Sequence, residues 1–221
     1  MSAREEVLAR IRRATQDVTE TDPELDVPVD WVYGRPLGTA DVIADFVEKV
    51  EDYRAAVRRC PEPEAAATII EALHALDAAS VVVPDDLPDT WVAALADAGF
   101  TLHRDDPQLT HAELNAIDAV VTTSAVGMAD SGTIALDHGA GQGRRALTLL
   151  PDRHICVVRE DQVVSDVPEG IARLAPALRE RRPITWLSGG SATSDIELSR
   201  VEGVHGPRHL SVVLVGAVTS A

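Results

Sequence analysis

Lysine is all but missing from this chain: of its 20 basic residues, nineteen are arginine and only Lys49 is lysine. That excludes a phosphate-binding loop of the kind that needs a lysine after its glycines, and leaves one side chain capable of a Schiff base, in an early charged segment. Cysteine is nearly as scarce. Cys60 and Cys156 stand far apart with no C-x-x-C pair, so neither an iron–sulfur cluster nor a thiolate zinc site can be built from this chain alone. No apolar run is long enough to span a bilayer, and Met1 to Glu20 alternates charge with Leu and Ile, unlike a secretory leader. A soluble, cytoplasmic protein is expected. Positive charge is in deficit, with 36 acids leaving a net charge of −16, and a phosphate backbone would be repelled overall.

What is present is a globular composition, 45% hydrophobic over 221 residues, enough for one substantial core with an N-terminal helical extension. Ser2 to Thr15 reads as an amphipathic helix with Val7, Leu8 and Ile11 on one face. Thr21 to Leu37 has no periodicity and carries Pro23, Pro28 and Pro36 with Trp31 and Tyr33, an arm whose aromatics want a partner surface. Thr39 to Arg59 reads as a second helix, with apolar residues recurring at three and four from Val42 to Val57. A third helix follows Pro61 and Pro63. The boundary is placed there: residues 1–59 as N-terminal helices and Trp-containing arm, 60–221 as an α/β domain.

Beyond that boundary short apolar strands alternate with helices. Strands are expected at Ser80 to Val83, Phe100 to Leu102 and Asp118 to Thr122, with helices at Pro88 to Ala98 and Leu109 to Asn115. This is the mark of a mostly parallel sheet covered by helices. After Thr123 the signals turn antiparallel, with strands at Thr133 to Leu136, Ala146 to Leu150 and His154 to Val158. A helix at Pro168 to Leu178 and a closing strand at Leu210 to Val218 complete the pattern.

The stretch ITWLSGGSATSDIE, Ile184 to Glu197, is the most suggestive. A strand from Ile184 to Leu187 runs into the bare backbone of Gly189 and Gly190, and Ser191, Thr193 and Ser194 stand at helix-start positions, where free N–H groups favour an anion. Ligands collect beyond the carboxyl ends of parallel strands. If this strand lies beside Asp118 to Thr122, then Thr122, Thr123, Ser124, Ser131 and Gly132 share one crevice with Gly189, Gly190, Ser191 and Thr193, and Arg208 serves as counter-ion to a small carboxylate. Asp130, Asp195 and Glu197 are the candidate acids. Ser194 with Glu197 also fits the S-x-x-E capping box, which would make both residues helix caps without chemistry.

Other motifs carry less. Gly139-Ala-Gly-Gln-Gly143 leads toward a strand rather than a helix, against a dinucleotide fingerprint, although Arg144 and Arg145 beside it could hold a carboxylate or phosphate. Gly189 to Thr193 lacks the last glycine of a nucleophile elbow. His205 and His209 flank Pro207, which argues against a helical metal pair. A satisfied structural role is the default for these histidines and for His138 and His154, and Cys156 in the strand pattern His154-Ile-Cys-Val-Val is most simply a core residue.

Taken together, Thr122-Thr-Ser-Ala-Val-Gly-Met-Ala-Asp-Ser-Gly-Thr-Ile-Ala-Leu136, Pro151-Asp-Arg-His-Ile-Cys-Val-Val158, Ser191-Ala-Thr-Ser-Asp-Ile-Glu197 and Gly203-Val-His-Gly-Pro-Arg208 resemble the lactate utilization protein C family and its LUD domain, over about residues 60 to 218. The resemblance implies a fold akin to the sugar-phosphate isomerase and coenzyme A transferase superfamily. It also implies a role in bacterial oxidation of L-lactate to pyruvate, as a ligand-binding or accessory subunit beside partners that carry the iron–sulfur clusters this chain cannot hold. Because that superfamily also hosts transferases and cyclo-ligases, an autonomous enzyme using Glu197 or Asp195 stands as the alternative.

Overall fold

The computed structural model describes residues 2–19, 22, 38–193, 201–203 and 205–216. The chain divides into two compact units, 1–35 and 36–221. In the first, helix α1 (Ala3–Ala14) starts at Ser2, whose hydroxyl accepts from the Glu5 N–H while the Glu5 carboxylate takes the Ser2 N–H. The expected arm, with Trp31 and Tyr33, lies outside the described residues apart from Asp22.

The second unit is organised on a six-stranded sheet in which every neighbouring pair is parallel, in the order β1-β12-β7-β4-β2-β3. These are β1 (Ala56–Pro61), β2 (Ser80–Val83), β3 (Thr101–Arg104), β4 (Ala119–Thr122), β7 (Arg153–Arg159) and β12 (His209–Gly216). The neighbouring inner strands β7 and β12 are buried over residues 154–158 and 210–215 and largely apolar on both faces, as strands covered on both sides must be. Helices α3 (Ala65–Ala75) and α4 (Asp89–Asp97) cover one face, with Ile69, Leu73 and Leu95 packed on Val81, Val121, Ile155 and Val213.

Helix α2 (Val42–Asp52) and a second, four-stranded sheet cover the other face. That sheet has the order β8-β5-β6-β9, from β5 (Val126–Met128), β6 (Thr133–Leu136), β8 (Val163–Val164) and β9 (Thr185–Leu187). Phe46, Val50, Ile134 and Leu136 meet Cys156, Val158, Val212 and Leu214 there. Helix α5 (His111–Asn115) packs Leu114 against Val82, Val120 and Leu147. Helix α6 (Val167–Arg179) closes the outer side of the second sheet through Leu174, against Val126, Met128 and Val164. The mostly parallel, helix-covered α/β architecture read from the sequence is therefore present, with an extra sheet in place of a second helical layer.

Four local expectations are corrected. The helix expected over 39–59 ends at Asp52, because Arg54 turns left-handed at φ 62, and Ala56–Pro61 joins the sheet edge beside β12. The 59/60 boundary thus falls inside β1. Residues Ala146–Leu150 form no strand: Arg145–Thr148 is a 3-10 turn, set up by Arg144, which grips Asp105 at 2.6 Å and 3.0 Å and the Leu109 carbonyl at 2.6 Å. The helix start expected at Ser191 to Ser194 is replaced, at its described positions, by strand β10 (Ala192–Thr193), antiparallel to β11 (Val201–Glu202). Finally, β9 pairs antiparallel with β6 and lies in the second sheet, not beside β4.

Two glycines let α2 sit close. The Phe46 ring lies where a Cβ on Gly127 would be, and at Gly132, with φ +58, a Cβ would stand 2.6 Å from the Lys49 carbonyl carbon. Phe46 and Lys49 are one helical turn apart, so a single face of α2 makes both contacts. Gly132→Ala combines an unfavourable φ with a clash against main chain that cannot rotate away, and is expected to cost on the order of 2 kcal/mol or more. Chemical denaturation would check this; a loss below about 0.5 kcal/mol would mean that α2 shifts freely on its sheet.

Candidate functional site

Thr122 to Ser124 and Gly189 to Thr193, expected to share one crevice, are separated by the fold. Thr122 is level with Cys156 at the carboxyl end of the parallel sheet, whereas His209, next to Arg208, is level with Arg153 at the amino end. Three residues of strand, roughly 10 Å, lie between those levels, with β7 intervening. Gly190 belongs to the amino end: a Cβ there would run into the Arg208 carbonyl. The physical reason is the pairing of β9 with β6, which carries the chain after Leu187 toward the starts of β7 and β12.

At the carboxyl end the hydroxyls are already engaged. Thr123 donates its N–H to the Gly141 carbonyl at 2.8 Å and its hydroxyl to that of Ala140 at 2.7 Å. Ser124 donates to Gln162 Oε1 at 3.2 Å, and Gln162 Nε2 returns to the Ser124 carbonyl at 2.9 Å. These residues border a cavity of about 260 Å³ with Glu62, Trp91 and Arg159, and the Arg159 guanidinium lies 2.6 Å from Glu62. Ser131 and Gly132 border neither this cavity nor the one at the other end; Asp130 is exposed on the same turn.

At the amino end three segments are stitched together. Ser191 donates its N–H to the Pro207 carbonyl at 2.7 Å, and its hydroxyl accepts from the His205 N–H at 3.0 Å. The Gly203 N–H bonds to the Ser191 carbonyl at 2.8 Å. Gly189, at φ 79, packs against the Tyr53 main chain. Between these turns and the starts of β7 and β12 lies a cavity of about 440 Å³, lined by Thr148, His154, Thr185, the Ser188 to Ser191 turn, His205 and Arg145. Arg208 is not among its walls. It lies beside a neighbouring depression and holds Asp152 at 2.6 Å; its hydrogen bond keeps the Asp152 carboxyl below the usual carboxylate range. Of the residues chosen from sequence, Gly189, Gly190 and Ser191 share this cavity. Thr193 is in β10, and Asp195 and Glu197 lie outside the described residues.

His138 and His154, both expected to be satisfied structural histidines, differ in their surroundings. His138 Nδ1 lies 2.8 Å from the Gly143 carbonyl, which only accepts, so that nitrogen carries the proton and Nε2 accepts from the Thr185 hydroxyl at 2.8 Å. Both nitrogens are satisfied. His154 is 1% exposed; its Nε2 is 2.8 Å from the Thr122 hydroxyl, while its Nδ1 has no partner. Most buried polar atoms are paired, so such an atom calls for an explanation. A signal for it was present: a histidine entering a strand that is otherwise apolar on both faces.

Burial pushes the His154 imidazole from its ordinary 6.5 down to about 3. Below pH 6.5 the unfolded chain takes up a proton that the folded protein refuses. Stability is therefore lost as the pH falls from 6.5 toward 3, and this group has no effect on it above 6.5. Denaturation midpoints between about pH 7.5 and about pH 5 are expected to fall, with a contribution approaching about 1.4 kcal/mol per pH unit from this one group. His154→Gln should flatten that part of the profile. An equally steep profile in the variant would assign the loss to other groups.

The LUD domain profile matches residues 43–215. The chain is 48% identical to lactate utilization protein C of Deinococcus radiodurans, over 97% of this chain and 96% of that one. A more distant relative, lactate utilization protein C of Geobacillus thermodenitrificans, is 22% identical over 95% of this chain and 92% of that one. The crystal structure of a DUF162 family protein from Deinococcus radiodurans superposes with a TM-score of 0.70 at 46% identity, covering 82% of this chain and all of that one. With the domain profile over most of its length and close identity to such a protein across nearly the whole chain, the chain is a member of the LUD domain family, in the branch of lactate utilization protein C.

Proposed function

We propose that this chain is a subunit of a bacterial system that oxidises L-lactate to pyruvate, and that it binds a small carboxylate in the amino-end cavity. The observation that carries this reading is the sign of the charge there. In a chain with a net charge of −16, no carboxylate is among the described residues lining the cavity, and Arg145 stands at its wall without an ion pair among the described residues. The other arginine of the same sequence pair, Arg144, is committed to Asp105. Burial opposes ionisation of that carboxyl, but hydrogen bonds from Arg144 and the Leu109 N–H outweigh it and hold it below the ordinary range. Arg144 is thus a structural lock and Arg145 is available to a ligand.

The names of the relatives supply the ligand class, lactate or its product. Oxidation of a 2-hydroxy acid requires an electron acceptor. Among the described residues no group of three or more His, Cys, Asp and Glu side chains could hold a metal, and the two cysteines are buried and free. Iron–sulfur partner proteins are the proposed route for the electrons, with this chain as the ligand-binding or accessory member.

Isothermal titration of the purified chain with L-lactate and with pyruvate tests the reading, first alone and then with the partner proteins. Arg145→Gln should weaken binding about tenfold or more, the effect of losing one charge-assisted hydrogen bond. Because Arg145 is exposed and unpaired, stability should change by less than about 0.5 kcal/mol. Failure of the wild-type chain to bind either acid, with or without partners, would sink the proposal.

A further inference from the structure

We infer that the free edge of β9 is a docking site for an extended peptide ending in a carboxylate, the C-terminus of a partner protein, with that carboxylate at Arg145. This rests on the reading of Arg145 as available to a carboxylate, and extends it from a small acid to the end of a partner's chain. Strand β9 is the last strand of the second sheet and pairs only with β6 among the described residues. Which of its main-chain groups are left over follows from β6. The Ala135 carbonyl accepts from the Ala125 N–H at 3.0 Å, on the β5 side, and successive residues of a strand turn their N–H and C=O groups to alternate sides. Ile134 and Leu136 therefore turn theirs toward β9, where they meet Leu187 and Thr185. Trp186, opposite Ala135, turns its own outward.

That outward edge is a wall of the amino-end cavity. Five consecutive residues, Ile184 through Ser188, line the cavity together with Arg145. Side chains alternate across a strand, so what five in a row have in common is the main chain. An unpaired edge of this kind is a template for one more strand, whose own main chain supplies the missing donor and acceptor. The side chains suit the same occupant. The Trp186 ring lies on the α6 side of the sheet, as does Ala135, and the residue is 44% exposed; a β-branched residue opposite it on an added strand would cover that ring. Charge decides which peptide. No carboxylate is among the described residues lining the cavity, and Arg145 stands there without an ion pair among them, so a chain end carrying a free carboxylate is matched where a neutral loop is not.

Acetyl-Thr-Val-Thr-Val with a free terminal carboxylate, and the same peptide as its terminal amide, test this on the full chain by NMR and calorimetric titration. Recognition by main chain and carboxylate tolerates sequence, and β-branched residues favour the extended form. The free acid should bind about tenfold or more tighter than the amide, and Arg145→Gln should remove that difference. In the complex the Trp186 main-chain amide signal should shift and its hydrogen exchange should slow. Methylating the peptide nitrogens one at a time leaves the protein untouched, and should weaken binding about tenfold at the nitrogen facing Trp186 but not at its neighbours, which point away. Equal affinity for acid and amide overturns the inference, as does a bound peptide that leaves the Trp186 amide unshifted. No binding of either peptide, while L-lactate or pyruvate binds, overturns this inference alone; no binding of peptides or acids overturns the carboxylate site with it.

Discussion

The adjacent strands β7 and β12 are buried on both faces, and this constraint shapes the rest. A strand in that position can carry polar side chains only if each finds a partner inside the protein. Ser211, 1% exposed, finds Arg58 at 2.9 Å, and Thr122 on the neighbouring strand finds His154. Among the described residues His154 alone on these strands keeps a buried side-chain nitrogen without a partner. The same double burial fixes the register of seven consecutive pairs between the two strands, because a slip of one residue would turn every side chain to the opposite layer.

How much of this could be read from the chain depends on how each segment gets its partners. Ser80–Val83, Ala119–Thr122, Arg153–Arg159 and His209–Gly216 were legible because a strand covered on both faces is an apolar run, a property of the segment itself. Val57 misled because it continues the three-and-four spacing of α2, although Arg54 has already turned the chain. Ala146 to Leu150 misled because an apolar run is also what a buried turn needs: Leu147 is fully buried without being in a strand. Whether Thr185–Leu187 belongs to the parallel sheet or a second one could not be read, since its three residues say nothing of the strand they will pair with. That one ambiguity split the expected crevice, placing Gly190 at one end of the sheet and Thr123 at the other.

Charge follows a comparable division. Most arginines near the sheet ends are occupied: Arg144 with Asp105, Arg208 with Asp152, Arg182 with Asp137 and Arg159 with Glu62. Exposed members of such pairs add little stability, and their value lies in fixing loops. Arg144 sets the turn that presents Arg145, and Arg208 holds Asp152 beside the residue that starts β7. The near-absence of lysine suits this use, since a planar guanidinium can grip a carboxylate and a carbonyl at once, as Arg144 does with Asp105 and Leu109.

Open parallel sheets ordinarily bind ligands beyond their carboxyl ends, where loops diverge. Here the Thr123 and Ser124 hydroxyls at that end, although they border a cavity of about 260 Å³, are already taken up by the Ala140 carbonyl and Gln162. At the amino end the balance reverses. The second sheet folds over the starts of β7 and β12, and the turns after β9 and before β12 are tied to each other through Ser191 rather than to the cavity wall. The Arg145 guanidinium, without an ion pair among the described residues, stands at the wall of the space between them. Binding at that end leaves those hydrogen bonds in place and meets an uncommitted arginine, which is why we propose the ligand there, against the usual direction for such sheets.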